Sequence, residues 1–160
     1  MIATNHACKS ICEYLVNQPI NLDLLDNKAR SALYLAIEAD NIAMAQILVN
    51  HGASVVADPS RLAKMLCTIG YENDVQKLRL LIQSDCNIEV ADYDKRTVGH
   101  LAAAEGHLQV LELLASESHF NFELRDRWNN SCFDEIKSDE MRALIERLVQ
   151  SRQQSSQPIN

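Results

Sequence analysis

Aromatic residues are scarce in this chain, at 5% of 160 residues, and glycine and proline are scarcer still, with four and three copies. A β-sandwich or barrel takes its core from aromatic and β-branched strands and its turns from glycine and proline. This composition therefore points away from that class and toward small Leu- and Ala-packed helices. Positive charge is short as well. Fifteen Lys and Arg stand against 22 Asp and Glu, a formal net charge of −7. A protein that grips a phosphate backbone needs the opposite sign, so no nucleic acid is expected among the partners. No apolar run approaches the ~20 residues that cross a bilayer. The opening stretch MIATNHACKSICEYLV lacks the charged lead and the apolar length of a signal peptide. These absences predict no membrane insertion and a cytoplasmic location.

Five cysteines are present, Cys8, Cys12, Cys67, Cys86 and Cys132. An odd number with no tight spacing predicts free, buried thiols in a reducing compartment. Cys8 and Cys12 lie four apart on one predicted helix face, with His6 nearby. No second pair completes a zinc set, so no metal is expected there. Nothing else in the sequence calls for a cofactor.

What the chain does have is an internal repeat. Leu48, Leu81 and Leu114 stand 33 residues apart, and so do Ile42, Val75 and Leu108; Ile47, Leu80 and Leu113; and Ala45, Leu78 and Leu111. Leu15 and Cys12 extend two of these columns backward by another 33. Within a unit the apolar spacing is helical, as in NIAMAQILV, DVQKLRLLI and HLQVLELLA. The breaks EADN, YEND and AEGH supply residues that end one helix and start the next. Each unit thus reads as helix, turn, helix and polar loop. Neither helix can bury its apolar face alone, so the units must stack.

A unit of this length and pattern resembles the ankyrin repeat. RTVGHLAAAEGHLQVLELLA, residues 96–115, is similar to the family's signature at Thr97, His100, Ala102, Ala103, Gly106 and His107, with Val98 and Gly99 where Pro and Leu are usual. The unit beginning RSALYLAIEADN matches at Ser31, Leu33, Leu35, Ala36, Gly52 and Ala53. The middle unit, residues 58–87, keeps the spacing and little of the signature. DRWNNSCFDEI resembles a family variant at Ser131, Asp134 and Glu135, after one inserted residue. The resemblance runs over about residues 4–150. In finer motif detail it is similar to the ankyrin tails of glutaminases, cytosolic asparaginases and plant-type potassium channels. It implies an all-α solenoid of stacked helix–turn–helix units with short hairpin-like loops. The array spans residues 1–152 in about four to five units, the first partial or divergent and the last capping, followed by a flexible tail over 153–160. With no recognisable inner helix before Thr4, the array begins partway into a unit, as a fragment of a longer protein or a divergent cap would.

The resemblance gives Thr97, His100, Gly106 and His107 structural roles: the first two satisfy backbone groups at a helix entry and tie adjacent loops, and His107 is a surface or capping residue. A catalytic reading of Asp94, Thr97 and His100 draws three groups from one short segment, whereas catalytic sets converge from several. No phosphate loop, nucleophile elbow or metal-ligand set is present, so no catalytic residue is assigned and no enzyme is expected. The residues left for function are those on the loop tips: Asn27, Lys28, Tyr93, Lys95, Arg127 and Trp128. Tyr, Trp and Arg are the side chains that anchor protein interfaces. The alternative for Trp128 is that it packs over the neighbouring loop while Arg127 pairs with Asp94 or Asp126. In SDEMRALIERLVQ the stripe Met141, Leu144, Ile145 and Leu148 reads as a capping helix. The middle unit has Asp58 and Pro59 where a tip would fall, a helix cap followed by a first-turn proline, which predicts a helix from about Pro59 in place of the tip. The expected function is a protein-binding module that uses loop tips and a concave helical face. The alternative is an assembly or regulatory domain of a larger enzyme or channel that promotes self-association.

Overall fold

The computed structural model describes the backbone of residues 6–155 apart from residue 118, and the side chains of residues 10–152 apart from the same residue. Every regular element among them is helical: α1 (His6–Val16), α2 (Ala32–Glu38), α3 (Ile42–Asn50), α4 (Pro59–Glu72), α5 (Val75–Gln83), α6 (Val98–Glu105), α7 (Leu108–Ser116), α8 (Cys132–Glu135) and α9 (Asp139–Ser155). The side chains of His6 and Cys8, and residues 156–160 of the expected tail, lie outside the described residues; residues 153–155 are the end of α9.

The repeat is visible in the helix boundaries. α3, α5 and α7 are nine residues each and start 33 apart. The turn before each of them is closed by a residue in the left-handed region, Asp40 (φ 57°), Asn73 (φ 59°) and Gly106 (φ 76°). That column explains why EADN, YEND and AEGH are interchangeable: Asp, Asn and Gly are the residues that tolerate this backbone. The middle unit departs as its sequence predicts. α4 begins at Pro59 and runs 14 residues, against seven in α2 and eight in α6.

The chain forms two compact units, one comprising Met1–Leu62 and Arg79–Asn87 and the other Ala63–Leu78 and Ile88–Asn160, so that α4 and α5 each contribute to both. In the first unit α3 packs against α1 and α2. Its core includes Leu33, Ile37, Ala45, Leu48, Leu80 and Leu81. In the second, α6 packs on α7 and α8, and α7 on α9. There the core is built from Leu66, Ile69, Leu78, Ala102, Leu111, Leu114, Phe120 and Ile145. From α3 onward two of the sequence columns are core: Leu48, Leu81 and Leu114, and Ala45, Leu78 and Leu111, are all buried, whereas Leu15 and Cys12, which extend them backward, are exposed and half-buried.

Two glycines mark close approaches in the second unit. A Cβ on Gly70 would lie 2.4 Å from the Val98 carbonyl oxygen, so α4 and the start of α6 touch backbone to side. A Cβ on Gly99 would meet Cys132 Sγ and Phe120 Cζ at 2.8 Å. Phe120 and Cys132 thus fill the space beside the position where a larger residue is usual in the signature.

Candidate functional site

Three turns share one construction. Asp26, Asp92 and Asp126 each use one carboxylate oxygen to accept two backbone N–H groups, two and four residues ahead. The acceptors and donors are Asp26 with Lys28 and Arg30 (both 2.9 Å), Asp92 with Asp94 and Arg96 (both 2.9 Å), and Asp126 with Trp128 (2.9 Å) and Asn130 (2.8 Å). The Asp main chain closes the ring: its N–H donates to the carbonyl four residues on, and its carbonyl accepts from the N–H three residues on. The fourth residue of each turn, Ala29, Lys95 or Asn129, has φ between 56° and 68°. A short polar side chain that bonds its own turn fixes that turn without any strand pairing, and the residues between its ends are held outward.

Opposite charge reinforces the first two turns. Arg30 Nη2 lies 2.8 Å from Asp26 Oδ2 and Arg96 Nη2 lies 3.0 Å from Asp92 Oδ2. The Arg30 hydrogen bond, with the two turn N–H groups, holds the Asp26 carboxyl down at about 2. In the third turn the cation is replaced by Asn130, whose amide donates to Glu135 Oε1 at 3.0 Å.

Each turn leads into an N-cap. Ser31 accepts from Tyr34 N–H, and Ser131 and Asp134 form a reciprocal capping box. Thr97 stands at the equivalent place. His100 Nδ1 accepts from Thr97 N–H (3.2 Å) and from the Thr97 hydroxyl (3.0 Å), while Nε2–H donates to the Asn130 carbonyl (3.2 Å). This geometry requires the Nε2–H tautomer. The imidazole joins a helix entry to the following turn. Cys132 Sγ sits 3.6 Å from the same Nδ1, a pairing that elsewhere makes a nucleophile. Here the thiol is buried and pushed up to about 12 by that burial, and Nδ1 is already occupied. Gly106 caps α6 in the left-handed conformation. His107 stands at the N-cap of α7, as a capping residue would. It is half-buried with no side-chain cap bond, and its Nδ1–H donates at 2.9 Å to the Gly70 carbonyl. It thereby satisfies a carbonyl near the end of α4 that has no partner of its own within the helix.

The six tip residues divide between the units. Asn27 and Lys28 are exposed on the turn of the first. Tyr93, Lys95, Arg127 and Trp128 are exposed on the two turns of the second. There Arg127 N–H donates to the Asp94 carbonyl (2.8 Å) and its Nη1 to Asp94 Oδ1 (2.9 Å), while its guanidinium lies 5.4 Å from the Tyr93 ring centre. The two turns are thus locked together through Arg127. Trp128 remains 59% exposed and Tyr93 89%. Of the alternative reading of this tip, the pairing of Arg127 with Asp94 forms, while Trp128 stays exposed.

Sequence reasoning missed two contributors. Two of the turn-forming aspartates, Asp26 and Asp92, were legible as D-x-x-x-R at 26–30 and 92–96, two periods apart, whereas Asp126 is followed by Asn130 and breaks the pattern. Arg152 was not. It reaches from α9 to the carbonyls of Leu114, Glu117 and Phe120 and covers the end of α7. No repeat position foretells it.

Residues 29–59 match the family model for the ankyrin repeat. The chain thus carries an ankyrin repeat at residues 29–59, and every regular element among its described residues is helical. It is 42% identical over 65 residues to the mitochondrial liver isoform of glutaminase from Mus musculus, a match covering 41% of this chain and 11% of the glutaminase. It is 28% identical over 85 residues to L-asparaginase of Dirofilaria immitis, over 53% of this chain and 14% of that protein. It is 36% identical over 95 residues to the potassium channel GORK of Arabidopsis thaliana, over 58% of this chain and 12% of the channel. The chain therefore spans about a tenth of the first curated relatives it matches. Among the described residues no helix is long and apolar enough to cross a membrane.

Proposed function

We propose that this chain is a protein-binding module that takes its partner at the paired turns of the second unit, with Trp128 and Tyr93 as anchors and Lys95 and Arg127 as polar contacts. The carrying observation is the exposure of two large aromatic side chains on turns that are internally hydrogen-bonded and joined by Arg127. Such anchors are held ready, so binding them costs little ordering. Asn27 and Lys28 offer a further contact on the first unit's turn. Cys67, Cys86 and Cys132 are free thiols, which supports action in a reducing compartment such as the cytoplasm. The test compares capture by the immobilised full chain with capture by Tyr93→Ala and Trp128→Ala. Retained melting midpoints with capture weakened by about 2 kcal/mol or more support the reading. Unchanged capture by both variants overturns it.

A second reading is favoured by the comparisons. The matched stretch is a small share of an enzyme or a channel in each of three relatives. On this reading the array is the assembly or regulatory part of a larger protein, and the chemistry lies elsewhere in it.

A further inference from the structure

The Asp-closed turns treat the two signs of charge differently. Every carboxylate in them is already engaged. Asp26 and Asp92 each give one oxygen to two turn N–H groups and the other to an arginine, Arg30 or Arg96. Asp126 is buried and accepts two N–H groups. Asp94 takes the Arg127 guanidinium on one oxygen at 2.9 Å and lies 3.8 Å from Arg96 through the other. The charged residues that the turns leave exposed are all cations: Lys28 in the first unit, Lys95 and Arg127 in the second. The Lys95 ammonium has no hydrogen-bond or ion-pair partner among the described residues. Arg127 spends one guanidinium nitrogen on Asp94 and keeps 54% of its side chain exposed. Nor does the backbone call for lysine at 95. Its left-handed position is filled by Ala29 and Asn129 in the other two turns.

In a chain of net charge −7 this is the reverse of what composition alone would place on a turn. It also decides the sign of what can cover the second unit's pair of turns. A partner that covers Tyr93 and Trp128 takes water away from Lys95 and Arg127 as well. A cation that loses water without gaining a counter-charge costs free energy, so the covering surface must bring carboxylates. A cationic ligand has no equivalent seat. The Tyr93 ring, which could hold an ammonium group, already has the Arg127 guanidinium 5.4 Å from its centre. A phosphate backbone is a poor fit too, since it needs a row of cations and these turns interleave theirs with Asp92, Asp94 and Asp126.

We propose that the paired turns at 92–96 and 126–130 take an acidic peptide segment of the partner, whose apolar side chains cover Tyr93 and Trp128 and whose carboxylates meet Lys95 and Arg127. The inference rests on the binding surface proposed above and adds to it the chemistry of the ligand. The division of labour follows from the geometry. The aromatic side chains supply area, the two cations supply sign, and the engaged aspartates hold the turns without offering a competing charge. Charge that guides an acidic segment to an otherwise acidic chain acts at this surface alone, so the contact selects against acidic surfaces that lack the apolar side chains.

The experiment titrates the full chain into a dye-labelled random copolymer of glutamate and tyrosine, and into one of lysine and tyrosine, read by fluorescence anisotropy at low and high salt. The glutamate copolymer is expected to bind and to weaken as salt rises. Lys95→Glu is expected to weaken it by about fivefold or more, and Tyr93→Ala by about tenfold. Arg147→Glu makes the same change of charge at an exposed position on α9, outside both turns, and is expected to leave the affinity unchanged. Position 95 is exposed, so the circular dichroism melt should be retained; if Lys95→Glu misfolds, Lys95→Gln reads the same contact. A glutamate copolymer that does not bind, that ignores Lys95→Glu, or that responds equally to Arg147→Glu would overturn the proposal. A lysine copolymer weakened by Tyr93→Ala would keep the turns as the surface and overturn the sign of the ligand alone. Tyr93→Ala without effect on either copolymer would remove the turns themselves, and the binding reading with them.

Discussion

Single residues in this protein are constrained by backbone position as much as by burial. Asn73 occupies the left-handed turn position that Gly106 fills one period later, and its side-chain oxygen is buried with no hydrogen-bond partner. Asn73→Gly removes both the unsatisfied oxygen and the strained backbone, against a smaller entropic cost in the unfolded chain. The expected result is a gain of about 1 kcal/mol, a rise of about 2–4 °C in the thermal midpoint; a fall would show that the amide has a structural role. Gly70 is the opposite case. Its neighbour is a backbone carbonyl, which cannot rotate aside, so Gly70→Ala is expected to cost about 1–3 kcal/mol in a denaturant titration. Asp26 carries a pH signature. Its folded carboxyl is depressed to about 2 from an ordinary 3.8, chiefly by the Arg30 hydrogen bond. A depressed acid stabilises the fold above its unfolded value and loses that stabilisation as pH falls through the folded one. Asp26→Asn keeps the turn acceptor and removes the charge. Its melting midpoint should lie below that of the wild type at neutral pH, and the gap should close on approaching about pH 2. A gap that persists there would locate the effect in turn geometry, not in charge.

At the scale of elements, the outer helices were the most legible part of the sequence, because a 33-residue apolar period and a 3.6-residue helical period coincide in them. α3, α5 and α7 follow from those two periods alone. α4 was legible for a local reason, the Asp58–Pro59 start signal overriding the register. Less legible were features that depend on contacts far along the chain. The bond from His107 to Gly70 spans 37 residues, and Arg152 reaches back 32 to 38 residues to the end of α7. Period and propensity carry no information about either. The tip residues were legible as positions, and the pairing of Arg127 with Asp94 as one of two alternatives; the exposure of Trp128 beside that pair was not. The register itself is tested in α5. Leu81 is fully buried, and Leu81→Ala is expected to cost about 2–5 kcal/mol of a total of roughly 5–15 kcal/mol. A midpoint equal to that of the wild type would contradict the column of Leu48, Leu81 and Leu114.

For the whole molecule, a repeat scaffold separates stability from recognition. Buried columns of Leu and Ala hold the helices, while the Asp-closed turns carry side chains that the core does not need. This division explains why Thr97, His100 and Cys132, the group most like a catalytic set, is buried and bonded inward, whereas Tyr93 and Trp128 face outward. It also explains how similar sequence can occur as a small part of a glutaminase, an asparaginase and a potassium channel. The binding surface proposed for this molecule is the pair of turns at 92–96 and 126–130. Hydrogen exchange of the full chain, followed with and without the captured partner, tests it most directly. New protection is expected to concentrate at those two turns, with the amides of α3, α5 and α7 unchanged. Protection that appears on the helices and leaves both turns exchanging as in the free protein would contradict it.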